Sequence, residues 1–160
     1  KDVLAQFKPG YVLMHTQGAP KTMQKNPCYD DVVGEVMAFF ERGLNDLVKA
    51  GLPEDRLVLD PGIGFGKLLA HNLALLNGME RFLALGLPLM IGLSNKSLWG
   101  QLMELQPDQR HNATQAATAL MAAKGVGIHR VHEVESTRQT LHVAQACLVP
   151  QGNGGKEVNG

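Results

Sequence analysis

Along this chain the spacing of apolar residues switches, again and again, between two periods. Tyr11-Val12-Leu13-Met14-His15 is a short apolar run that ends in a polar residue. Runs of this kind, apolar without alternation, read as buried strands. A loop with Gly and Pro follows. Then Val33, Val36, Met37, Phe40, Leu44, Leu47 and Val48 recur at three and four residues, the spacing of one helix face. Asp30 or Asp31 is placed to cap that helix, and Gly51 with Pro53 to stop it. Leu57-Val58-Leu59 predicts a second strand, ending on Asp60. Leu69, Leu73, Leu76, Met79 and Leu83 predict one helix over 69–85, closed by Gly86. Pro88–Leu93 reads as a third strand, then the loop Ser94–Ser97, then an Ala-rich helix near 112–124. Gly127–His132 reads as a fourth strand, and a last helix covers 134–148.

Four strand-loop-helix units in a row argue for parallel strands with helices packed outside. Two architectures meet that description, an open doubly wound sheet and the (β/α)8 barrel. A complete barrel takes roughly 250 residues, so four units make half of one. The polar residues favour the barrel. Each strand ends in chemistry at its C-terminal edge: His15, Asp60, the Ser94–Ser97 loop, and Arg130 with His132. In barrel enzymes that edge holds the active site.

Composition narrows the classes. The chain has 160 residues, 44% apolar and 19% charged, enough for one domain with a real core. Its formal net charge is zero, so bulk electrostatics do not favour nucleic acid. Cys28 and Cys147 lack metal-site or C-x-x-C spacing, which suits a reducing, cytoplasmic setting and no metal site. No apolar run approaches the ~20 residues of a membrane span, and the opening KDVLAQFKPG has no apolar signal core. Residues 1–148 are expected to form one domain, and 149–160, rich in Gly and Asn, a disordered tail.

The stretch RLVLDPGIGFGK (56–67) poses the chemical question. Gly62, Gly64 and Gly66 keep Cβ atoms out of the way, so that a ligand or another backbone can approach. A phosphate-binding P-loop is excluded: Pro61 stands where its first Gly belongs, and Leu68 where Ser or Thr would hold magnesium. The dinucleotide fingerprint is excluded too, because the third Gly comes one residue early. Asp60 ends a buried strand, where a carboxylate needs donors. An amino-pyrimidine edge offers two side by side; an internal Lys or Arg is the alternative, ranked lower because of the neighbouring glycines. In HRVH (129–132), alternation puts Arg130 and His132 on one face and His129 on the other. A guanidinium fork beside a second donor suits a phosphate or pyrophosphate, and a solvated pair at the sheet rim is the plain alternative. His129 reads as a packing residue under a helix. Lys96 and the hydroxyls of Ser94 and Ser97 offer a ring-carbonyl contact, or charge for a leaving group; a solvated loop is the plain alternative.

Together, LMHTQGAPKTMQ (13–24), LDPGIGFGK (59–67), GLSNKS (92–97) and RVHEV (130–134) resemble the successive motifs of the dihydropteroate synthase family, in order, over residues 3–148. The resemblance implies a pterin-binding (β/α)8 barrel of which this chain is the C-terminal half, from about the fifth strand. It implies transfer of a pterin-methyl group from pyrophosphate to 4-aminobenzoate in folate synthesis. Carried over by motif, Asp60 accepts from the amino-pyrimidine edge, and Met14, Phe65 and Gly92 line the pterin slot. Lys96 contacts the pterin carbonyl and the aminobenzoate region. Ser94 and Ser97 lie near the aminobenzoate, where sulfonamides compete, and Arg130 and His132 grip the pyrophosphate. Lys96, Arg130 and His132 are the expected catalytic residues, and the resemblance implies no general base. It also implies Mg2+, a homodimer when complete, with helices 69–85, 112–124 and 134–148 as candidates for its contact, and small-molecule substrates with no nucleic acid or membrane partner. Two positions depart from the pattern: Asn95 where the family has Arg, and Thr16 where it has Met.

The resemblance places the magnesium-binding Asn and the mobile loops in a half that precedes this chain. The expectation is therefore an inactive fragment, with open edges and an uncovered apolar face. Two other readings compete. A pterin domain of a corrinoid methyltransferase would hold no diphosphate, which the Arg130/His132 pair and the S-x-K-S loop argue against. A non-catalytic half-barrel that self-associates would cover its own apolar edges.

Overall fold

The computed structural model describes residues 2–19 and 22–148. Helix α1 (Asp2–Phe7) precedes strand β1 (Tyr11–Met14), and the first long helix is α2 (Val32–Lys49). Strand β2 is Leu57–Asp60, followed by α3 (Leu69–Asn77) and α4 (Met79–Leu83). Strand β3 (Met90–Ile91) leads into α5 (Ser97–Met103) and α6 (His111–Ala123), and β4 (Ile128–His129) into α7 (Val134–Leu148). The tail expected over 149–160 lies outside the described residues.

The strands are parallel and lie in sequence order. β1 pairs with β2, β3 with β4, and a bridge between Leu59 and Leu89 joins the pairs. A doubly wound sheet would reverse its order near the middle and carry helices on both faces. Here neighbours in sequence are neighbours in space, as in a barrel wall.

Register explains the burial. Leu13 and Leu59 share a row, as do Leu59 and Leu89, so these side chains point one way with Leu57 and Ile91. All are buried: Leu57, Leu89 and Ile91 are 1% exposed and Leu59 0%. They meet the helices, where Phe40 of α2 packs edge-to-face on Phe82 of α4. Each such side chain contributes roughly 1.5–3 kcal/mol by leaving water. The alternate row, Val12, Val58, Met90 and Ile128, points to the other face. There Val12 is 42% and Ile128 38% exposed. The helices cover one face only, which is the half-barrel that the sequence pattern predicts.

Several boundaries differ from expectation. The helix over 69–85 is two helices, broken at Gly78, which takes φ −90° and ψ 16° and packs against Val33, where a Cβ would fall at 3.2 Å. Hydrogen-bonded strand extends over 90–91 and 128–129 only, less than the apolar runs 88–93 and 127–132 suggest. Helices α1 and α5 lie outside the elements that the sequence pattern predicts. Helix α2 starts where the capping signal puts it: the Asp31 carboxylate accepts from the Gly34 N–H at 3.0 Å.

Candidate functional site

Pleat and register build the site before any ligand is considered. Met14 pairs with Asp60, and the Arg130 N–H donates to the Ile91 carbonyl at 2.8 Å, setting Arg130 beside Gly92. Met14, Asp60, Gly92 and Arg130 therefore share the inner face at the C-terminal rim, with the Gly92–Arg130 pair one pleat above the row of Met14 and Asp60. The Arg130 guanidinium lies over Gly92: a Cβ on that glycine would fall 2.6 Å from Nη2. Any larger residue at 92 would move that guanidinium aside.

Asp60 is 2% exposed. Burial pushes its carboxyl above the usual carboxylate range, against the Gly62 N–H and the charges of Arg130, Lys96 and Lys67. The Gly62 N–H donates to Oδ1 at 2.7 Å, and the other oxygen accepts no hydrogen bond among the described residues. No ion pair within 4 Å forms at Asp60 among those residues, so the internal salt bridge weighed as its alternative partner is not made.

The glycine loop is shaped by a neighbouring backbone. A Cβ on Gly62 (φ +67°) would sit 1.9 Å from the His15 carbonyl oxygen, and one on Gly66 (φ +60°) 2.6 Å from that of Gln17. Loop 61–67 and the β1–α2 loop thus interlock. Lys67 ties them: its ammonium donates to the carbonyls of Phe65 at 2.9 Å, Gly62 at 3.1 Å and His15 at 3.4 Å. Asn72 accepts from the Gly64 N–H at 2.7 Å and Tyr29 donates to the Gly66 carbonyl at 2.8 Å. Sequence reasoning missed these three residues. The only signal was a lysine directly after a run of glycines, which reads as an ordinary surface charge.

His15, expected to present chemistry at the rim, instead packs against α2. Its ring stands edge-on to Phe39 at 5.0 Å, and its buried Nδ1 has no hydrogen-bond partner among the described residues. Burial, with Lys67 nearby, lowers its pKa to about 4, so the ring is neutral at pH 7.

Across the rim, Lys96 lies with its ammonium 4.0 Å from the centre of the Phe65 ring. Burial, and then Arg130, push its pKa down. Ser94 Oγ meets His132 Nδ1 at 2.9 Å. Ser97 begins α5, exposed, and its side chain makes no hydrogen bond among the described residues. Arg130 and His132 are both exposed, yet each is placed, one on Gly92 and the other on Ser94. His129 turns the other way, half-buried, with Nε2 3.1 Å from the Val126 carbonyl, the packing role expected of it. Asn95 adopts φ +53°, a left-handed conformation that asparagine tolerates. Its loop is held by Thr114, which accepts from the Asn95 N–H at 3.1 Å, and by Arg110, whose Nη1 donates to the Asn95 carbonyl at 3.3 Å.

No group of three His, Cys, Asp or Glu that could hold a metal ion lies among the described residues. No helix is long and apolar enough to cross a membrane. Both cysteines are exposed free thiols.

A family model described as pterin binding enzyme matches residues 1–132. The dihydropteroate synthase of Escherichia coli (strain K12) is 43% identical over 141 residues, covering 88% of this chain and 50% of that protein. The crystal structure of dihydropteroate synthase from Stenotrophomonas maltophilia, with active site-bound imidazole, superposes with a TM-score of 0.89 at 43% identity, over 94% of this chain and 57% of that one. The Thermus thermophilus dihydropteroate synthase, in complex with 6HMPPP, gives 0.85 at 42% identity, over 91% and 58%. The chain spans about half the length of these relatives.

Proposed function

Since the chain belongs to the pterin binding enzyme family, we propose that it supplies the pterin- and pyrophosphate-binding half of a dihydropteroate synthase. Such an enzyme joins 4-aminobenzoate to 6-hydroxymethyl-7,8-dihydropterin pyrophosphate. The observation that carries this reading is the shared inner face of Met14, Asp60, Gly92 and Arg130, which sets on one side of the sheet a guanidinium and a carboxylate oxygen that accepts no hydrogen bond among the described residues. Residues 1–148 form the pterin-binding unit, in a cytoplasmic enzyme.

Each residue takes a part that its chemistry allows. Asp60 accepts two hydrogen bonds from the amino-pyrimidine edge, which returns to a buried carboxylate the donors it lacks. Met14, Phe65 and Gly92 line a flat slot for the ring. Lys96 donates to the pterin carbonyl, and Ser94 and Ser97 border the aminobenzoate. The aniline nitrogen attacks the exocyclic methylene with its lone pair. The C–O bond to pyrophosphate breaks, its electrons leave on oxygen, and the new ammonium loses a proton to water. Arg130 and His132 stabilise the charge gathering on the departing pyrophosphate. No step here runs through magnesium. Helices α3, α6 and α7 are the proposed homodimer contact, supported by Leu120 at 63% and Val143 at 61% exposed on their outer faces.

Calorimetric titration with the pterin pyrophosphate tests the reading. The chain should bind it, and Asp60→Asn should weaken binding on the order of 100-fold, the worth of charge-assisted hydrogen bonds at about 1.4 kcal/mol per tenfold. Equal affinity of both proteins overturns it. Free pyrophosphate should compete, which a methyltransferase pterin domain would not show.

A further inference from the structure

A buried lysine without a contacting carboxylate is costly and calls for an explanation. Lys67 is 4% exposed, and no ion pair within 4 Å includes it among the described residues. Its three hydrogen bonds all go to backbone carbonyls, of Phe65, Gly62 and His15. Two of these carbonyls lie in the glycine loop, and the third closes β1. One ammonium therefore fixes the relative position of the two loops that flank Asp60.

The link to Asp60 runs through a single residue. The N–H of Gly62 donates to Asp60 Oδ1 at 2.7 Å, and its carbonyl accepts from Lys67 at 3.1 Å. Holding that carbonyl holds the residue, and with it the donor that orients the carboxylate. The same clamp sets Phe65, whose carbonyl it binds and whose ring carries Lys96. Asn72 supports the arrangement from α3, donating to the Lys67 carbonyl at 3.3 Å.

We propose that Lys67 is the positioning residue of this site, orienting Asp60 through Gly62 and setting the Phe65 ring while touching no substrate. The inference deepens the pterin reading and rests on it for the identity of the ligand. Lys67 is faced by Asp60 of β2, Lys96 of the β3–α5 loop, and the end of β1, where His15 is neutral. Tyr29 closes the far side of the glycine loop with His71 of α3 against its ring, and Arg130 of β4 faces Asp60 itself. Burial lowers the Lys67 pKa to about 8, opposed by Asp60 and aided by Lys96, so the clamp weakens on the alkaline side.

Two variants of the 160-residue chain decide it. Lys67→Met keeps the stem and removes the charge. It should raise the Asp60 carboxyl titration, followed by carbon NMR, by about one unit, since the carboxylate loses an oriented donor and a nearby cation. It should also weaken the pterin pyrophosphate at least tenfold at pH 7. A folded Lys67→Met protein whose Asp60 titrates as in wild type overturns the proposal. Lys67→Arg keeps the charge at every accessible pH. In wild type the Gly62 amide resonance should move between pH 7 and 9.5, and in Lys67→Arg it should not. An identical alkaline response in both proteins also overturns the proposal, even where Lys67→Met does not fold. Absence of pterin binding by wild type, or full binding by Asp60→Asn, sinks the pterin reading alone, because the Asp60 and Gly62 resonances are read without ligand.

Discussion

The two sides of the C-terminal rim are built on different physics. On the β1–β2 side, Asp60, Lys67, Asn72 and His15 are buried, and the loops interlock through glycines that no side chain can replace. On the β3–β4 side the ladder is two residues long, and Arg130 and His132 are exposed. On the β1–β2 side Lys67, Asn72 and Tyr29 hold the glycine loop through its own backbone, and a surface fixed in this way recognises a shape. Exposed side chains on short strands adapt, and the Arg130 guanidinium recognises charge. The first side suits a flat heterocycle and the second a flexible diphosphate.

The largest effect should come from breaking the interlock. Gly62→Ala combines a left-handed backbone with a Cβ 1.9 Å from the His15 carbonyl. We expect a loss of about 3 kcal/mol or more, a fall in Tm of roughly 6–12 °C, and no pterin binding. Gly86→Ala is the control. It has a similar φ of +76° but nothing within 4 Å, so it should cost only about 1 kcal/mol. Equal melting of the two variants in thermal denaturation would show that strain, and not the interlock, sets the requirement.

Next comes acid. The folded state holds His15 at a pKa of about 4, below its ordinary 6.5, so the unfolded chain binds more protons between those values. Stability from this group is full above pH 6.5 and is lost as pH falls towards 4, by up to about 3 kcal/mol. His15→Phe keeps the ring contact with Phe39 and should flatten Tm against pH over that window. A slope unchanged in the variant would assign the acid sensitivity to other groups.

The opposite side should respond through binding alone. Arg130→Ala removes an exposed side chain, so Tm should move by less than about 2 °C. Pyrophosphate affinity should fall on the order of 10- to 30-fold, the worth of a charge-assisted pair. A large drop in Tm would mean that this side is as interlocked as the other.

These two sides were not equally legible in the sequence. Alternation alone put Arg130 and His132 on one face and His129 on the other, because a strand's period of two survives even where the hydrogen-bonded ladder is only two residues long. The glycines announced a close approach without saying of what; the answer, the His15 and Gln17 carbonyls, lies some 50 residues away in the chain. Lys67 stayed hidden because its three partners are backbone atoms, which no residue type advertises. The break at Gly78 was hidden too. The apolar stripe from Leu69 to Leu83 runs through it unchanged, and the tight contact with Val33 that a side chain would meet there comes from another helix.

The smallest expected effect tests how tolerant the β3 side is. Asn95 stands at φ +53°, where asparagine is at ease and arginine is strained by about 1 kcal/mol. Its side chain also hydrogen-bonds Glu133, which His111 holds at 2.5 Å. In Asn95→Arg, the guanidinium would face that carboxylate, and an exposed pair of this kind returns only a few tenths of a kcal/mol. The Thr114 and Arg110 contacts use the Asn95 backbone, so they survive the exchange. Pairing offsets only part of the strain, and Tm should fall by less than about 3 °C. The added cation should instead tighten pyrophosphate a few-fold at low salt and not at high salt. A salt-independent gain would mean that arginine reorganises the loop. The β3 side would then be ordered by its residue at 95, as the β2 side is ordered by Lys67.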